Sequence, residues 1–188
     1  QLLVDEARDE LLSCSGDGVI ILWNLRKGSQ IKRIKYESGI HGVARLNHHV
    51  IASVCKNGSI AFHDLKTGAT LLKINNAHEG RIGRVLYSEK DKLLITSSVD
   101  ATVKVWNVSV EQDSNSKKQV MCSNKSIIKH PSGKSSCSRM GFVEIEGEED
   151  TLVAAGAGIA FVANIKTGQV LLKTLKCSGT PSWHLNNK

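Results

Sequence analysis

Long apolar runs are missing from this 188-residue chain. The longest hold about five residues, as in "VIILW", where a membrane-crossing helix needs about 20. The opening "QLLVDEARDE" has no basic flank followed by an apolar stretch, so it lacks the pattern of a secretory signal, and no membrane partner is expected. Cysteine is scarce and scattered. Cys14, Cys55, Cys122, Cys137 and Cys177 form an odd set with neither disulfide-framework nor zinc-ligand spacing, which points to a reduced intracellular compartment, cytoplasm or nucleus. Phosphate-cradling glycine loops are absent as well, since "GAGIAF" has too few glycines and continues as a strand. The remaining histidines, including the His48–His49 pair and His130, have no metal-ligand spacing and read as surface or loop residues. Ser97, Ser98 and Thr96 sit in a regular strand pattern with no strained nucleophile turn beside them. Neither enzymatic activity, nor a metal, nor a cofactor is expected.

The chain does carry charge, and its placement matters more than the net +7. Residues 1–26 hold five acids against two bases, so this stretch is acidic. Between 117 and 139, Lys117, Lys118, Lys125, Lys129, Lys134 and Arg139 occur with no acid among them. The acidic run "EIEGEED" follows at once, close enough to offset part of that charge within a Debye length of about 8 Å.

Four segments align on one another: "LLSCSGDGVIILWNL" (11–25), "VIASVCKNGSIAFHDL" (50–65), "LLITSSVDATVKVWNV" (93–108) and "LVAAGAGIAFVANI" (152–165). Asn24, Asp64, Asn107 and Asn164 mark the same place in each, at successive separations of 40, 43 and 57. Each segment alternates apolar and polar residues, breaks at a small polar turn, and alternates again, which is the signature of a β-hairpin. Shorter apolar runs such as "ATLLKI" and "IGRVLYS" fill the intervals, giving about four strands per period. The expected fold is all-β, a propeller or a related array of four-stranded antiparallel units. The last interval is swollen by a polar, basic insertion over 109–136, expected to be a mobile loop from which "QVMCS" or "KSIIK" returns as an outer strand.

The third segment resembles the WD-repeat β-propeller family. In that family a histidine, a Ser or Thr, an aspartate and a tryptophan form a buried hydrogen-bonded set, the aspartate six residues before the tryptophan and the hydroxyl four before the aspartate. His78, Thr96, Asp100 and Trp106 match all four positions, and Ser13, Asp17 and Trp23 repeat the spacing in the first segment. The set is structural, because a buried indole N–H and a buried imidazole both need partners. Departures are visible. Asn follows both tryptophans, Tyr36 stands at the second unit's histidine position, His63 and Asn57 replace its Trp and Asp, and the fourth segment has Ala157 and Ala163.

The resemblance implies a single propeller domain over 1–188 with about four blades. "QLLVDEARDE" reads as part of an innermost strand and "GTPSWHLNNK" as the opening strand of a further blade, so the chain is expected to be part of a larger propeller or one completed by another chain. The family also implies a scaffold that docks peptides or protein domains, as a subunit of an intracellular multiprotein complex. In such platforms the residues after the histidine position and before the turn aspartate face the narrower rim. Here they are Glu79, Arg81 and Val99 in the third unit and Glu37, His41 and Lys56 in the second. An alternative is RNA association, as in ribosome assembly, through Lys117, Lys118, Lys125, Lys129 and Lys134; no aromatic lies among them to stack bases. A narrower alternative comes from "WNLR", Trp23 to Arg26, which resembles a docking signature of substrate receptors of a cullin-RING ubiquitin ligase.

Overall fold

The computed structural model of the protein describes residues 1–112, 118–130, 139–145, 148–156 and 159–176. These residues form four four-stranded antiparallel sheets in chain order. The first is β1 (Leu2–Asp5), β2 (Glu10–Cys14), β3 (Val19–Asn24) and β4 (Ser29–Lys35); the second is β5 (Ile40–Arg45), β6 (Val50–Cys55), β7 (Ile60–Asp64) and β8 (Thr70–Ile74). The third is β9 (Ile82–Ser88), β10 (Leu93–Ser98), β11 (Thr102–Gln112) and β12 (Lys118–Lys129); the fourth is β13 (Arg139–Ile145), β14 (Glu148–Gly156), β15 (Ile159–Asn164) and β16 (Val170–Lys176). Within each sheet every strand pairs with its chain neighbour, so each unit is an up-and-down meander, a propeller blade. Among the described residues no helix is long and apolar enough to cross a membrane.

Alternating side chains give each blade two apolar faces, and consecutive blades bury them against each other. Leu12, Ile20 and Leu22 of the first blade meet Val43, Ile51 and Ala61 of the second. Ala52, Ile60 and Phe62 on the other face of the second meet Val85, Leu94 and Trp106 of the third. Ile95, Val103 and Val105 then meet Leu152, Phe161 and Ala163 of the fourth. Phe62 is fully buried, so truncating it to Ala costs about 3–5 kcal/mol. The first strands β5, β9 and β13 lie side by side, which makes them the inner strands of the array.

The turns between second and third strands explain two glycines. Gly18 and Gly58 take the left-handed conformation, at φ +81° and +79°, and a Cβ on either would sit 2.4 Å from the carbonyl oxygen of Tyr36 or His78. Ala101 adopts the same region in the third blade, at φ +64°. Tyr36, His78 and His130 each donate a backbone N–H to the carbonyl at this turn position, on Gly18, Gly58 and Ala101, at 2.8, 3.0 and 2.8 Å. That bond ends the outer ladder of one blade at the point where the chain crosses to the next.

The third blade departs from its neighbours, and the insertion is the reason. In the other blades an Asx side chain caps the turn after the third strand: Asn24 Oδ1 accepts from Lys27 N–H at 2.7 Å, Asp64 Oδ1 from Thr67 N–H at 2.7 Å, and Asn164 Oδ1 from Lys166 N–H at 2.9 Å. A left-handed glycine follows at Gly28, Gly68 and Gly168. At the matching place after Asn107 stands Glu111, and no turn forms there. β11 runs on to Gln112 and pairs with β12 down to the Gln112–Lys118 rung. The loop expected over 109–136 is therefore corrected. Residues 109–112 and 118–129 are strand, and "QVMCS" and "KSIIK" belong to one strand, β12. The few apolar residues suffice because they share a face: Val108, Val110, Val120 and Cys122 pack on Leu71, Leu72 and Ile74 of the second blade. Residues 113–117 and 131–138, and the expected strand over 179–188, lie outside the described residues.

Candidate functional site

In the third blade the loop before β9 brings His78 over β10, and the β10–β11 turn supplies Asp100. His78 Nδ1 lies 2.9 Å from Asp100 Oδ2 and Nε2 lies 2.8 Å from Thr96 Oγ1, while the Trp106 indole N–H donates to the same Thr96 oxygen at 2.9 Å. Asp100 also accepts from Thr102 Oγ1 and N–H, at 2.7 and 2.9 Å, and from Glu79 N–H at 3.1 Å. With Nδ1–H donating to the carboxylate, Nε2 is left to accept the Thr96 hydroxyl proton. Burial holds the His78 imidazole below its ordinary range despite the nearby carboxylate, so it is neutral at pH 7. Burial pushes the Asp100 carboxyl up, but its Thr102 hydrogen bond and His78 outweigh that and hold it low. Thr96 is fully buried and its oxygen is occupied, so the set ties the loop, two strands and the turn together and offers no nucleophile.

The other blades carry weaker versions. In the first, Trp23 N–H donates to Ser13 Oγ at 2.9 Å and Asp17 Oδ1 accepts from Val19 N–H at 3.1 Å. In the second, His63 takes the tryptophan's place: its Nε2 lies 2.8 Å from Ser53 Oγ, its Nδ1 3.2 Å from Thr70 Oγ1, and the Tyr36 ring meets it edge-on at 5.3 Å. Burial lowers the His63 pKa to about 4. His130, read above as a surface or loop histidine, is 2% exposed and stacks edge-on against Phe161 at 5.5 Å. Its backbone bond to Ala101 puts it where His78 and Tyr36 stand. Sequence spacing hid it because the fourth segment lacks the other three residues. His48 and His49 are exposed, and Arg8 Nε donates to His48 Nδ1 at 2.8 Å.

The rim residues separate into two groups. His41 is the second residue of β5, Lys56 follows β6 and Arg81 precedes β9, and the charges of Arg81 and Lys56 both act on His41. Lys56 N–H donates to Gly39 O at 2.8 Å, and the Arg81 carbonyl accepts from Val99 N–H at 3.1 Å and Ser98 Oγ at 3.0 Å. Burial, then the Arg81 and Lys56 charges, lower the His41 pKa. Glu37 turns away into an ion pair with Lys73. The Glu79 side chain is exposed, and Val99 is 42% exposed, with a methyl so close that a Cβ on Gly80 would meet it at 2.7 Å. Of the basic run, Lys118 is an ion-pair partner of Asp64 and largely buried, Lys125 and Lys129 are exposed on β12, and Lys117 and Lys134 lie outside the described residues. In "WNLR", Asn24 caps its own turn and Arg26 Nε pairs with Asp9 at 2.6 Å.

Sequence reasoning missed the ion pairs that cross each blade interface. Arg45 meets Glu10 at 2.7 Å, Lys118 meets Asp64, and Lys166 meets Asp91 at 3.3 Å, the cation always coming from the later blade. No short-range spacing could have shown them, since each pair joins residues of different repeats.

The family model described as "WD domain, G-beta repeat" matches residues 69–107, which run from the outer strand of the second blade to β11. The chain is 24% identical over 108 residues to the U3 small nucleolar RNA-associated protein 21 homolog of Schizosaccharomyces pombe, covering 57% of this chain and 12% of that protein. It is 30% identical over 103 residues to the U3 small nucleolar RNA-associated protein 12 of Saccharomyces cerevisiae, covering 55% and 11%. It is 28% identical over 109 residues to the U5 small nuclear ribonucleoprotein 40 kDa protein of Dictyostelium discoideum, covering 56% and 30%. The chain thus spans about a tenth of the first two relatives. The solved structure of U3-55K superposes with a TM-score of 0.70 at 19% identity, over 91% of this chain and 50% of that one, a likeness of fold. With a repeat profile matching residues 69–107, four meander blades in series and the histidine, threonine, aspartate and tryptophan set bonded as one unit, the chain carries a WD-type repeat on a fold similar to that of the WD-repeat β-propellers.

Proposed function

We propose that the protein is a non-enzymatic scaffold that docks peptides or protein domains on the rim carrying His41, Lys56, Glu79, Arg81 and Val99, as a subunit of an intracellular multiprotein complex in the nucleus or cytoplasm. One observation carries this reading. The rim backbone is pinned by hydrogen bonds, Glu79 N–H to Asp100 and Val99 N–H to the Arg81 carbonyl, while the Lys56, Glu79, Arg81 and Val99 side chains stand in solvent. A surface held rigid without its ligand loses little conformational freedom on binding. The relatives named as a small nucleolar RNA-associated protein and as a small nuclear ribonucleoprotein protein support membership of an assembly. The first blade adds a second contact surface. Leu2, Val4 and Ile31 are 67%, 54% and 49% exposed on the Trp23 side, whereas the Trp106 side of the third blade is sealed by the second. A further blade, from the same polypeptide or another chain, covers that face.

A photo-crosslinking side chain placed at Val99, compared with one at Lys125 on the outer edge, tests the reading. Protein crosslinks at position 99 and few at 125 support it; crosslinks confined to 125 refute it.

RNA association is the second reading, favoured by exposed Lys125 and Lys129 on one strand and by the RNA-associated names of the relatives. Of the three expected lysines among the described residues, Lys118 is engaged by Asp64, which weighs against it. The cullin-RING alternative is weaker still, because Arg26 is held by Asp9 within its own blade.

A further inference from the structure

The docking reading leaves the sign of the partner's charge open, and the rim's own residues decide it. Lys56, whose N–H donates to the Gly39 carbonyl just before β5, and Arg81, just before β9, come from neighbouring blades whose inner strands β5 and β9 lie side by side. Both backbones are fixed by the bonds to Gly39, Val99 and Ser98, and neither charged side chain has an acidic partner among the described residues. Both charges act on His41, second residue of β5, half-buried, its Nε2 screened from solvent and without a hydrogen-bond partner among the described residues. The acids of this rim are otherwise committed: Glu37 to Lys73, Asp100 to His78 and Thr102, and Asp17 to the Val19 N–H. Glu79 is the remaining carboxylate, and the side-chain charges acting on His41 are those of Arg81 and Lys56.

We infer that His41, Lys56 and Arg81 form an anion-accepting pocket for a carboxylate or phosphate group carried by an extended acidic segment of a protein partner. Two permanent cations with fixed backbones pull an oxyanion between them, and the His41 ring beside them, on which both charges act, senses the bound anion. A protein segment suits the site better than a nucleic-acid strand. Two phosphate contacts would supply a salt slope of only about −1.4 for a single strand, and the exposed large apolar side chains of the described residues include no aromatic ring to stack a base.

This inference rests on the docking reading, and its test separates the two. The protein is titrated at constant ionic strength with inorganic phosphate, with a hexaglutamate peptide and with a hexalysine peptide, following the His41 ring resonances by NMR. Saturable shifts with phosphate and hexaglutamate but none with hexalysine are expected. Lys56→Ala and Arg81→Ala should each weaken hexaglutamate binding roughly tenfold, the loss of one charge-assisted contact. Both positions are exposed, and unchanged tryptophan fluorescence checks that the variants fold. No shift at His41 with phosphate or hexaglutamate, or binding that survives the Lys56→Glu and Arg81→Glu double variant, overturns the pocket. A phosphate response at His41 with no peptide of any charge bound would leave the pocket standing and remove the docking reading.

Discussion

The Trp106 indole N–H donates to Thr96 Oγ1 at 2.9 Å inside the third blade, whereas the Trp23 indole makes the same bond to Ser13 Oγ, also at 2.9 Å, on a face that no other blade among the described residues covers. Equal geometry in unequal surroundings gives unequal energies. Thr96→Val leaves a buried indole N–H and a buried imidazole nitrogen without their partner and should cost about 1–3 kcal/mol. Ser13→Ala should cost clearly less, because water reaches the half-exposed Trp23. Urea unfolding of the two variants measures the difference; equal losses would show that the third blade's set contributes nothing beyond an exposed hydrogen bond.

Gly58→Ala should destabilise the protein by more than about 1 kcal/mol, since the position combines φ +79° with a carbonyl 2.4 Å from the new Cβ. Gly16 is the control within the same class of turn, with nothing within 4 Å of its would-be Cβ and no left-handed φ. Similar melting temperatures for Gly58→Ala and Gly16→Ala would contradict the turn geometry.

Two buried groups set the acid limb of stability. His63 stays neutral in the fold until pH falls to about 4, while an unfolded histidine takes up its proton near 6.5. Between those values the unfolded chain binds more protons, so stability falls as pH falls, by up to ~1.4 kcal/mol per pH unit for this one site. His63→Phe should flatten that part of the profile. Asp64 works at lower pH: against the upward push of burial, Lys118 and the Thr67 N–H hold its pKa down to about 2. Its contribution is complete above the ordinary value of 3.8 and disappears as pH falls towards 2. Thermal melts from pH 7 to 3 on the parent and His63→Phe read the first effect, and an unchanged slope between 6.5 and 4 would exclude it.

The extended β11–β12 hairpin should resist trypsin at Lys118 in the native state, because that side chain is held against Asp64 of the neighbouring blade. Asp64→Asn removes the partner charge and should speed cleavage after Lys118 without unfolding the blades. Rapid cleavage of the parent at Lys118 would mean that the hairpin does not stay docked.

Much of this was legible in the sequence, and the physical reason is repetition. Period-two alternation, a break at small polar residues and a return at intervals near 40 specify hairpins that must stack, and the His78, Thr96, Asp100 and Trp106 spacing is local enough to see. Three features were not legible. The insertion looked like a loop because its apolar residues, such as Val110, Val120 and Cys122, are sparse in sequence and become a face only when β11 and β12 pair across it. His130 was hidden because the fourth segment has Ala157 and Ala163 where the aspartate and tryptophan of the set would stand, so no spacing pointed back to it. The joint action of Lys56 and Arg81 on His41 depends on two inner strands of different blades coming together, which no single repeat encodes.

The central claim is that the rim, and not the outer edge, meets the partner. Charge reversal separates them most directly: Lys56→Glu with Arg81→Glu on the rim, against Lys125→Glu with Lys129→Glu on β12, each assayed for binding of the partner recovered by crosslinking at position 99 and of single-stranded RNA across a salt series. The account predicts that the rim pair abolishes partner binding, that the edge pair leaves it unchanged, and that RNA binds weakly to every form at physiological salt. Micromolar or tighter RNA binding by the parent, with a salt slope that loses about 1.4 in the edge variant and nothing in the rim variant, would contradict it.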